Sequence, residues 1–353
     1  MKSFPILLTT ATLMFSTAMV SAEPMVFVPE GSANAVRMVD AVTGETVKRI
    51  TGIEAVHGLS GAIGVPYLVA GSYAEADRAE IATMEQPEGM SDDAHAVHHS
   101  KPTDASIGPE NAGVSLLTIL EAASGDIVQK IEVPGAVHHT AVSPDGRFAV
   151  ATHPSGDGIS VIDLETLTLI AFVPTGSMPN YAAFGSDPNV VYVSNAGNGT
   201  ISEVNLDRGI VMRNLLAGSG PEHIVIDADN AVLFAADASS GDVIEISLTD
   251  GATTRTFAIG GELHGLDLSD DSASLLVAGR GEDKIAAVAL STGTISFASL
   301  SPEPYHLTSI LGTGTFAVSS RAEPTVWIVD QATMEPLNAV AIEGEGHQMV
   351  AFP

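Results

Sequence analysis

Hydrophobic and polar positions alternate along the chain in repeated units of four short predicted strands. The clearest strand of each unit is a buried run, and these runs are YLVAG, FAVAT, VYVSN, LFAAD, LLVAG and FAVSS, beginning at residues 67, 148, 191, 233, 275 and 316. A shorter run such as HHTAVS or HIVID comes before each of them, and two further runs with turn residues follow. Four short strands per unit, separated by turns, are typical of propeller blades.

The units number seven, and the two ends of the chain complete each other. The segment MVFVPEG near the N-terminus begins with a second-strand pattern, whereas the segment HQMVAF near the C-terminus is a lone first-strand pattern. Joining them in one blade covers the sheet edges that a long all-β chain must protect. The sequence therefore predicts a seven-bladed β-propeller of four-stranded antiparallel blades, closed by N- and C-terminal strands that share one blade.

Two segments depart from the repeat. Residues 1–22 have an early lysine, an apolar middle and small residues at Val20 and Ala22, as expected of a signal peptide removed before Glu23. We therefore expect a periplasmic protein whose single propeller domain spans residues 23–353. A long histidine- and acid-rich loop is predicted at about 72–112, where an ordinary strand connection would be far shorter.

Composition narrows the possible partners. The formal net charge is −29, with 14 basic and 43 acidic residues, so the surface repels nucleic acid and anionic lipid and attracts cations. No cysteine is present, which removes disulfides and thiolate ligands. A membrane span needs about 20 apolar residues; the run within residues 1–22 is too short and too rich in threonine and serine, and no other segment comes close. We expect a monomer that binds neither nucleic acid nor membrane.

The histidines recur at one offset from the buried runs. His138 lies ten residues before Phe148, and His57, His223 and His306 lie ten before Tyr67, Leu233 and Phe316. His264 precedes its run by eleven residues, His347 opens the last strand, and Asn180 takes the place in the remaining blade. Because first strands line the channel of a propeller, we predict that six histidines at one equivalent position face the axis. The alternative is polar packing at the channel mouth, inherited by duplication.

More histidines are predicted on the same face. The insertion contains Asp92-Asp93-Ala-His95-Ala-Val-His98-His99, and on a helix His95 and His99 would share one side, a usual arrangement of two metal ligands. His153 ends a second strand, and His139 is ambiguous by one residue of register. A disordered polar loop without a metal is the alternative for the insertion.

Imidazole and carboxylate groups without thiolate suit Zn(II), with Cu(II) and Ni(II) as competitors. Glu222, Glu262 and Glu345 stand one or two residues before channel histidines and are candidate partners, or plain surface charge. The candidate metal ligands are His57, His95, His98, His99, His138, His139, His153, His223, His264, His306 and His347.

An acidic, cysteine-free propeller with DDAHAVHH in an insertion and histidines along the channel resembles the AztD-type periplasmic zinc chaperones, within the broader YVTN-like propellers. The resemblance implies that Zn(II) is held by histidines and delivered to the solute-binding protein of an ABC zinc importer. It also implies a carrier, so we expect no enzymatic activity.

Three other functions stay open. A zinc hydrolase would need one coordination position open to water. A cofactor-binding oxidoreductase would use a channel histidine as an axial ligand. An interaction scaffold would use the histidines only for packing, because a fold by itself does not settle a function.

Overall fold

The computed structural model describes residues 23–76, 107–109 and 112–353. These residues form 28 strands, numbered β1 to β28 in chain order, and no α-helix. The strands before residue 180 are β1 Met25–Glu30, β2 Ala35–Asp40, β3 Thr46–Thr51, β4 Val56–Gly61, β5 Tyr67–Ser72, β6 Val114–Glu121, β7 Ile127–Pro134, β8 Thr140–Val142, β9 Phe148–His153, β10 Gly158–Asp163 and β11 Thr168–Pro174.

The next strands are β12 Pro179–Phe184, β13 Val190–Asn195, β14 Thr200–Asn205, β15 Ile210–Leu216, β16 Pro221–Ile226, β17 Val232–Asp237, β18 Asp242–Ser247, β19 Thr253–Ala258 and β20 Leu263–Leu268. The last are β21 Ser274–Gly279, β22 Lys284–Ala289, β23 Thr294–Ser299, β24 Pro304–Ile310, β25 Thr315–Ser320, β26 Thr325–Asp330, β27 Pro336–Ala341 and β28 Val350–Phe352. Single-turn 3-10 helices lie at Gly31–Ala33, Pro154–Gly156 and Arg280–Glu282.

The strands form seven four-stranded antiparallel sheets, which confirms the predicted propeller. Six blades are continuous in sequence. The seventh has the order β28-β1-β2-β3, with Val350 opposite Phe27 and Phe352 opposite Met25. The predicted closure of the ring by the two ends of the chain is therefore confirmed.

The first strands of the blades surround the axis. Each of β4, β8, β12, β16, β20, β24 and β28 contacts the first strand of the next blade, so the ring of contacts is complete. Apolar side chains of the second strands β1, β5, β9 and their equivalents fill the spaces between neighbouring blades, where seven buried hydrophobic clusters lie. The core is thus distributed between blades, and the channel is left to polar residues.

The connection between β5 and β6 leaves and re-enters the propeller at the face where β4 begins. Val56, the first residue of β4, pairs with Ser72, the last residue of β5, and Ala76 forms a bridge with Val114. The predicted signal peptide at 1–22 and most of the predicted insertion, with His95, His98 and His99, lie outside the described residues. Among the described residues no helix is long and apolar enough to cross a membrane.

Candidate metal centre

Five of the seven first strands are irregular at one place near their start, and the residues just before β8 and β28 occupy the matching positions of the sequence repeat. In β16, Pro221 pairs with Asp237, the last residue of β17. Ile224, which is three residues after Pro221, pairs with Ala235, which is only two residues before Asp237. Two residues of β16 therefore face a single residue of β17. The same shift occurs in β4, β12, β20 and β24. Such a β-bulge re-aims side chains that would otherwise alternate between the two faces of a strand, so two consecutive residues can approach the channel.

The bulges arrange the channel residues in two rows. The first bulge position holds His57, His138, Asn180, Glu222, His264, Tyr305 and His347. The second bulge position holds Gly58, His139, Tyr181, His223, Gly265, His306 and Gln348.

The prediction of one equivalent position for six histidines is therefore wrong in two blades. His223 and His306 occupy the second bulge position, and Glu222 and Tyr305 occupy the first. The true second strands β17 and β25 begin at Val232 and Thr315, one residue before the apolar residues from which the offset was counted.

Hydroxyl groups of the second strands stabilise several bulges. A bulge leaves an amide without a ladder partner. The hydroxyl of Thr152 accepts the amide hydrogen of His139 at 3.0 Å, and that of Ser319 accepts the amide of His306 at 3.3 Å. Thr152 also donates its hydroxyl hydrogen to the carbonyl oxygen of Asn180 in the next blade, at 2.9 Å. These bonds fix the backbone from which the histidines project.

Four histidines form an inner group at the axis: His139, His223, His264 and His306. One ligand nitrogen from each lies within 4.8 Å of the others, and every side chain is buried. The Nε2 atoms of His264 and His306 are 2.9 Å apart. Four tetrahedral imidazole ligands at a zinc–nitrogen distance of 2.0–2.1 Å would place their nitrogens about 3.3 Å apart. The nitrogens of the inner group are therefore close enough together to bind one metal ion.

Three histidines form an outer group nearer to the solvent: His57, His138 and His347. Their ligand nitrogens also lie within 4.8 Å of one another. His57 and His138 are half-buried, whereas His347 is buried. Tyr73, which is half exposed and follows β5, stacks on His57 with ring centroids 4.7 Å apart.

Hydrogen bonds fix the tautomers of three ligands. Nδ1 of His57 donates to the carbonyl oxygen of His138 at 3.0 Å, and Nδ1 of His139 donates to the carbonyl oxygen of Asn180 at 2.7 Å. Nδ1 of His264 lies 2.5 Å from the carboxylate of Glu222. Each bond leaves the Nε2 lone pair for a metal, which is the usual supporting arrangement for histidine ligands. Glu222, predicted as a candidate partner in metal binding or as plain surface charge, thus contacts one of the candidate ligands.

Hydrogen bonds alone cannot satisfy the inner nitrogens. Nε2 of His306 is 2.9 Å from Nε2 of His264 and 3.1 Å from Nε2 of His347. A neutral imidazole has one ring hydrogen, so His306 can donate at only one of these contacts. In addition, both nitrogens of His223, Nε2 of His139 and Nδ1 of His347 are buried without a hydrogen-bond partner among the described residues. Buried polar atoms left in this way are costly, and a bound cation would satisfy them.

Burial keeps these imidazoles neutral. Burial, and then the neighbouring His138, lower the pKa of His57 to about 3. Burial and nearby histidines also hold the pKa values of His139, His223, His306 and His347 well below the usual 6.5. Only neutral imidazole binds a metal, so these five histidines are in the competent protonation state at neutral pH.

His153 lies apart from both groups. Its Nδ1 donates to the carbonyl oxygens of Gly135 and Ala136, each at 3.1 Å, and its Nε2 bonds the hydroxyl of Ser160 at 2.8 Å. Both of its ring nitrogens are therefore engaged in hydrogen bonds within the protein. Glu345 pairs with Arg321 at 3.2 Å and is mostly exposed.

Sequence reasoning missed the aromatic and amide neighbours of the histidines. Tyr305 stacks on His264 with centroids 3.9 Å apart, and Tyr181 lies 4.2 Å from His223. These tyrosines could have been found from the repeat, because they occupy positions at which other blades carry histidine.

Gln348 links its blade to two other first strands. Its Oε1 accepts the amide hydrogens of Leu59 and Thr140 at 3.2 and 3.0 Å, and its Nε2 donates to the carbonyl oxygen of Thr140 at 2.8 Å. A cavity of about 330 Å³ is lined by Gln348, by His306 of the inner group and by Asp267, whose pKa is raised by burial.

Comparison with known proteins gives the fold and no family. No protein-family model matches the chain, and no curated protein matches it. Among solved structures, it is similar to a putative 6-phosphogluconolactonase of Bacteroides fragilis, with 13% identity and a TM-score of 0.71 over 96% of this chain and 100% of that one. A putative 6-phosphogluconolactonase of Bacteroides uniformis is similar at 14% identity and TM-score 0.70, over 94% and 100% of the two chains. The periplasmic gluconolactonase of Pseudomonas aeruginosa is similar at 14% identity and TM-score 0.69, over 94% and 99%.

These comparisons correct one expectation. We expected no enzymatic activity, but the solved structures of similar fold include proteins named as gluconolactonases, which are enzymes. These neighbours contradict the expectation of a protein without enzymatic activity. The likeness itself, at 13–14% identity, shows the shared propeller fold. The buried histidine groups can hold a metal ion, and the geometry leaves the identity of the metal open.

Proposed function

We propose that the protein is a periplasmic zinc-binding protein that holds Zn(II) in its channel and delivers it to the solute-binding protein of an ABC zinc importer. It acts as a monomer and binds neither nucleic acid nor membrane. His95, His98 and His99 of the insertion collect the ion, and the channel histidines hold it. The resemblance to the AztD-type chaperones supports this reading, and the periplasmic Pseudomonas aeruginosa protein of the same fold agrees with its location.

One observation carries the proposal: four buried neutral histidines converge at the axis, and their nitrogens cannot all be satisfied by hydrogen bonds. Zinc prefers four tetrahedral nitrogen or sulfur ligands, and this chain offers no sulfur from cysteine. A closed site of this kind holds an ion tightly, and the acidic surface attracts cations to it.

Titration of the metal-stripped protein with Zn(II), against a chelator of known affinity, tests the binding. We expect at least one tight equivalent. His223→Ala and His306→Ala should each weaken it on the order of 100-fold, because each removes an inner ligand.

His153→Gln is the matched control, because His153 is equally buried but uses both nitrogens within the protein. It should leave the zinc affinity of the folded protein within a few-fold of the parent. Binding of micromolar strength or weaker in the parent protein would contradict the proposal. Equal loss in the control would show that the variants act through the fold.

Transfer needs a separate measurement. Zinc-loaded protein is mixed with a metal-free zinc-importer solute-binding protein in the presence of excess chelator. Transfer that the chelator does not intercept supports direct delivery, and complete interception contradicts it. Replacement of His95, His98 and His99 by Ala should slow capture and leave the tight site intact.

The outer group favours a second candidate, zinc-dependent hydrolysis. Three histidines, two of them half-buried, match the three-ligand catalytic zinc sites in which water fills the fourth position. Several similar folds are named as lactonases. Zinc-dependent opening of gluconolactone that His57→Ala abolishes would support this candidate, and a rate equal to the uncatalysed one would dismiss it.

A further inference from the structure

His347 is in contact with both histidine groups. Its ring centroid lies 3.3 Å from that of His57 in the outer group and 3.9 Å from that of His306 in the inner group. Its Nε2 is 3.1 Å from Nε2 of His306, and its Nδ1 is buried without a hydrogen-bond partner in the described part of the chain. His347 therefore has a nitrogen beside the inner ligands while it also belongs to the outer set.

The two groups differ in their exposure to solvent. His57 and His138 are half-buried, His347 is 4% exposed, and the inner histidines are 0–6% exposed. Gln348, next to His347, is hydrogen-bonded to β4 and to the start of β8. Within the described residues, the most exposed histidines of either group are therefore His57 and His138, so the outer group is the side from which we take an ion to enter.

A closed four-histidine site sets a kinetic problem. All four positions of a tetrahedral ion are filled, so the ion leaves only if its ligands are replaced one at a time. The incoming ligand must be neutral and within bonding distance of the ion. Nε2 of His347 lies 3.1 Å from Nε2 of His306, so it can approach an ion bound at His306. The zinc–nitrogen bond to His306 can then break as the bond to His347 forms, with no proton gained or lost.

We propose that His347 is the exchange residue that moves Zn(II) between an outer entry site and an inner holding site. The ion enters at His57 and His138 and passes to His347. His306 then takes the place of His347 as a ligand of the ion. Release follows the same steps in reverse. This inference rests on the proposed zinc function and adds a route to it.

The test compares His347→Ala with His57→Ala in metal-stripped full-length protein. Equilibrium competition gives the affinity of the tight site, stopped-flow mixing with Zn(II) gives the loading rate, and excess EDTA gives the release rate. The visible spectrum of Co(II), bound in place of Zn(II), reports the geometry of the inner site.

In His347→Ala we expect loading and release to slow together by roughly tenfold or more, an effect of about 1.4 kcal/mol on the barrier. The inner affinity and the tetrahedral Co(II) spectrum should stay unchanged, because the four inner ligands remain. His57→Ala should weaken the outer site and slow exchange less, because His347 is still present. His347→Gln, which keeps a polar side chain, repeats the measurement if the alanine variant does not fold.

Three outcomes oppose the inference or its foundation. Parent-like rates in both His347 variants would show that the ion does not pass through this residue. A loss of inner affinity above tenfold, with an altered Co(II) spectrum, would make His347 a ligand of the inner ion and would overturn its exchange role. Absence of tight zinc binding in the parent protein would remove the proposed function itself.

Discussion

A single carboxylate decides which nitrogen of His264 faces the axis. Glu222 lies in the blade before His264 and contacts its Nδ1 at 2.5 Å, which leaves Nε2 toward His306. A carboxylate in this position orients the imidazole and raises its basicity as a ligand. It also places one negative charge beside a site whose four ligands are neutral.

Glu222→Gln should therefore weaken zinc binding by about 10- to 100-fold without preventing it. The amide still accepts the Nδ1 hydrogen but supplies no charge. Competition against a chelator measures the change. Glu262→Gln, which alters the same charge on an exposed residue two positions before His264, is the control. Equal affinities in the two variants would contradict the supporting role of Glu222.

Gly58 provides the space that His139 occupies. A Cβ atom at Gly58 would lie 2.9 Å from Cα of His139 and 3.0 Å from its carbonyl carbon. These are backbone atoms, so the next blade would have to move. Gly265 has the same relation to the backbone at His306.

Gly58→Ala should displace His139 from the inner group, lowering both the urea midpoint of unfolding and the zinc affinity. Gly156→Ala is a suitable control, because its new Cβ meets ordinary contacts at 3.5 Å or more. Parent-like affinity in Gly58→Ala would show that the blades can separate at no cost to the site.

The sequence identified the channel histidines but not their register. Histidine is polar and recurs where packing would favour apolar residues, so its period was visible. The bulge is set by backbone pairing, which leaves no mark on residue type. The offset was counted from Leu233 and Phe316, whereas their strands begin one residue earlier, at Val232 and Thr315. The tautomers of His139 and His264 depend on contacts between blades, which one sequence does not reveal.

The closing blade has its own stabilising ion network. Glu30 at the end of β1 is fully buried, and its two oxygens lie 2.6 Å from Arg37 of β2 and 2.6 Å from Arg49 of β3. It also accepts the amide hydrogen of Glu343 at 3.0 Å. Burial raises the pKa of Glu30, but the bonds from Arg49, Glu343 and Arg37 outweigh it and hold the pKa below its usual value.

Glu30→Gln should lower the free energy of unfolding by about 3 kcal/mol at pH 7, because Arg37 is left as a buried charge with a weakened partner. Urea denaturation measures the difference. The control is Glu343→Gln. The side chain of Glu343 also pairs with Arg37 but is 59% exposed, so its replacement should lower the free energy of unfolding by less than about 1 kcal/mol. A similar loss of unfolding free energy in both variants would show that buried Glu30 stabilises the closing blade no more than exposed Glu343 does.

The strands themselves were readable from the sequence because each blade repeats the same alternation of apolar and polar residues. The terminal strands were predicted to share a blade, and β28 pairs with β1 as expected. The insertion could be located by its length but not described, since DDAHAVHH follows no strand period.

At the scale of the whole fold, seven buried or half-buried imidazoles of the described residues have lowered pKa values, including His57 at about 3 and His153 at about 4. Below pH 6.5 these imidazoles bind protons in the unfolded chain but not in the folded protein. Stability therefore falls as the pH falls from 6.5 toward 4, by up to about 1.4 kcal/mol per pH unit for each imidazole. Above 6.5 these groups add no pH dependence.

Urea unfolding of the metal-free protein at pH 7.5, 6.5 and 5.5 tests this expectation. The midpoint should change little between pH 7.5 and 6.5 and should drop at 5.5, where ordinary carboxylates remain ionised. The zinc-loaded protein should lose more on acidification, because protons then also displace the ion. Equal midpoints at pH 7.5 and 5.5 would mean that the imidazoles are protonated in the folded protein.

The shared blade gives the chain an order of assembly. His347 belongs to the segment that leads into β28, and β28 is the strand that joins the last part of the chain to β1. During synthesis, the histidines of the earlier blades emerge well before their last neighbour. The outer group is therefore complete only when the propeller has closed, and on the proposed route zinc loading would wait for a finished fold.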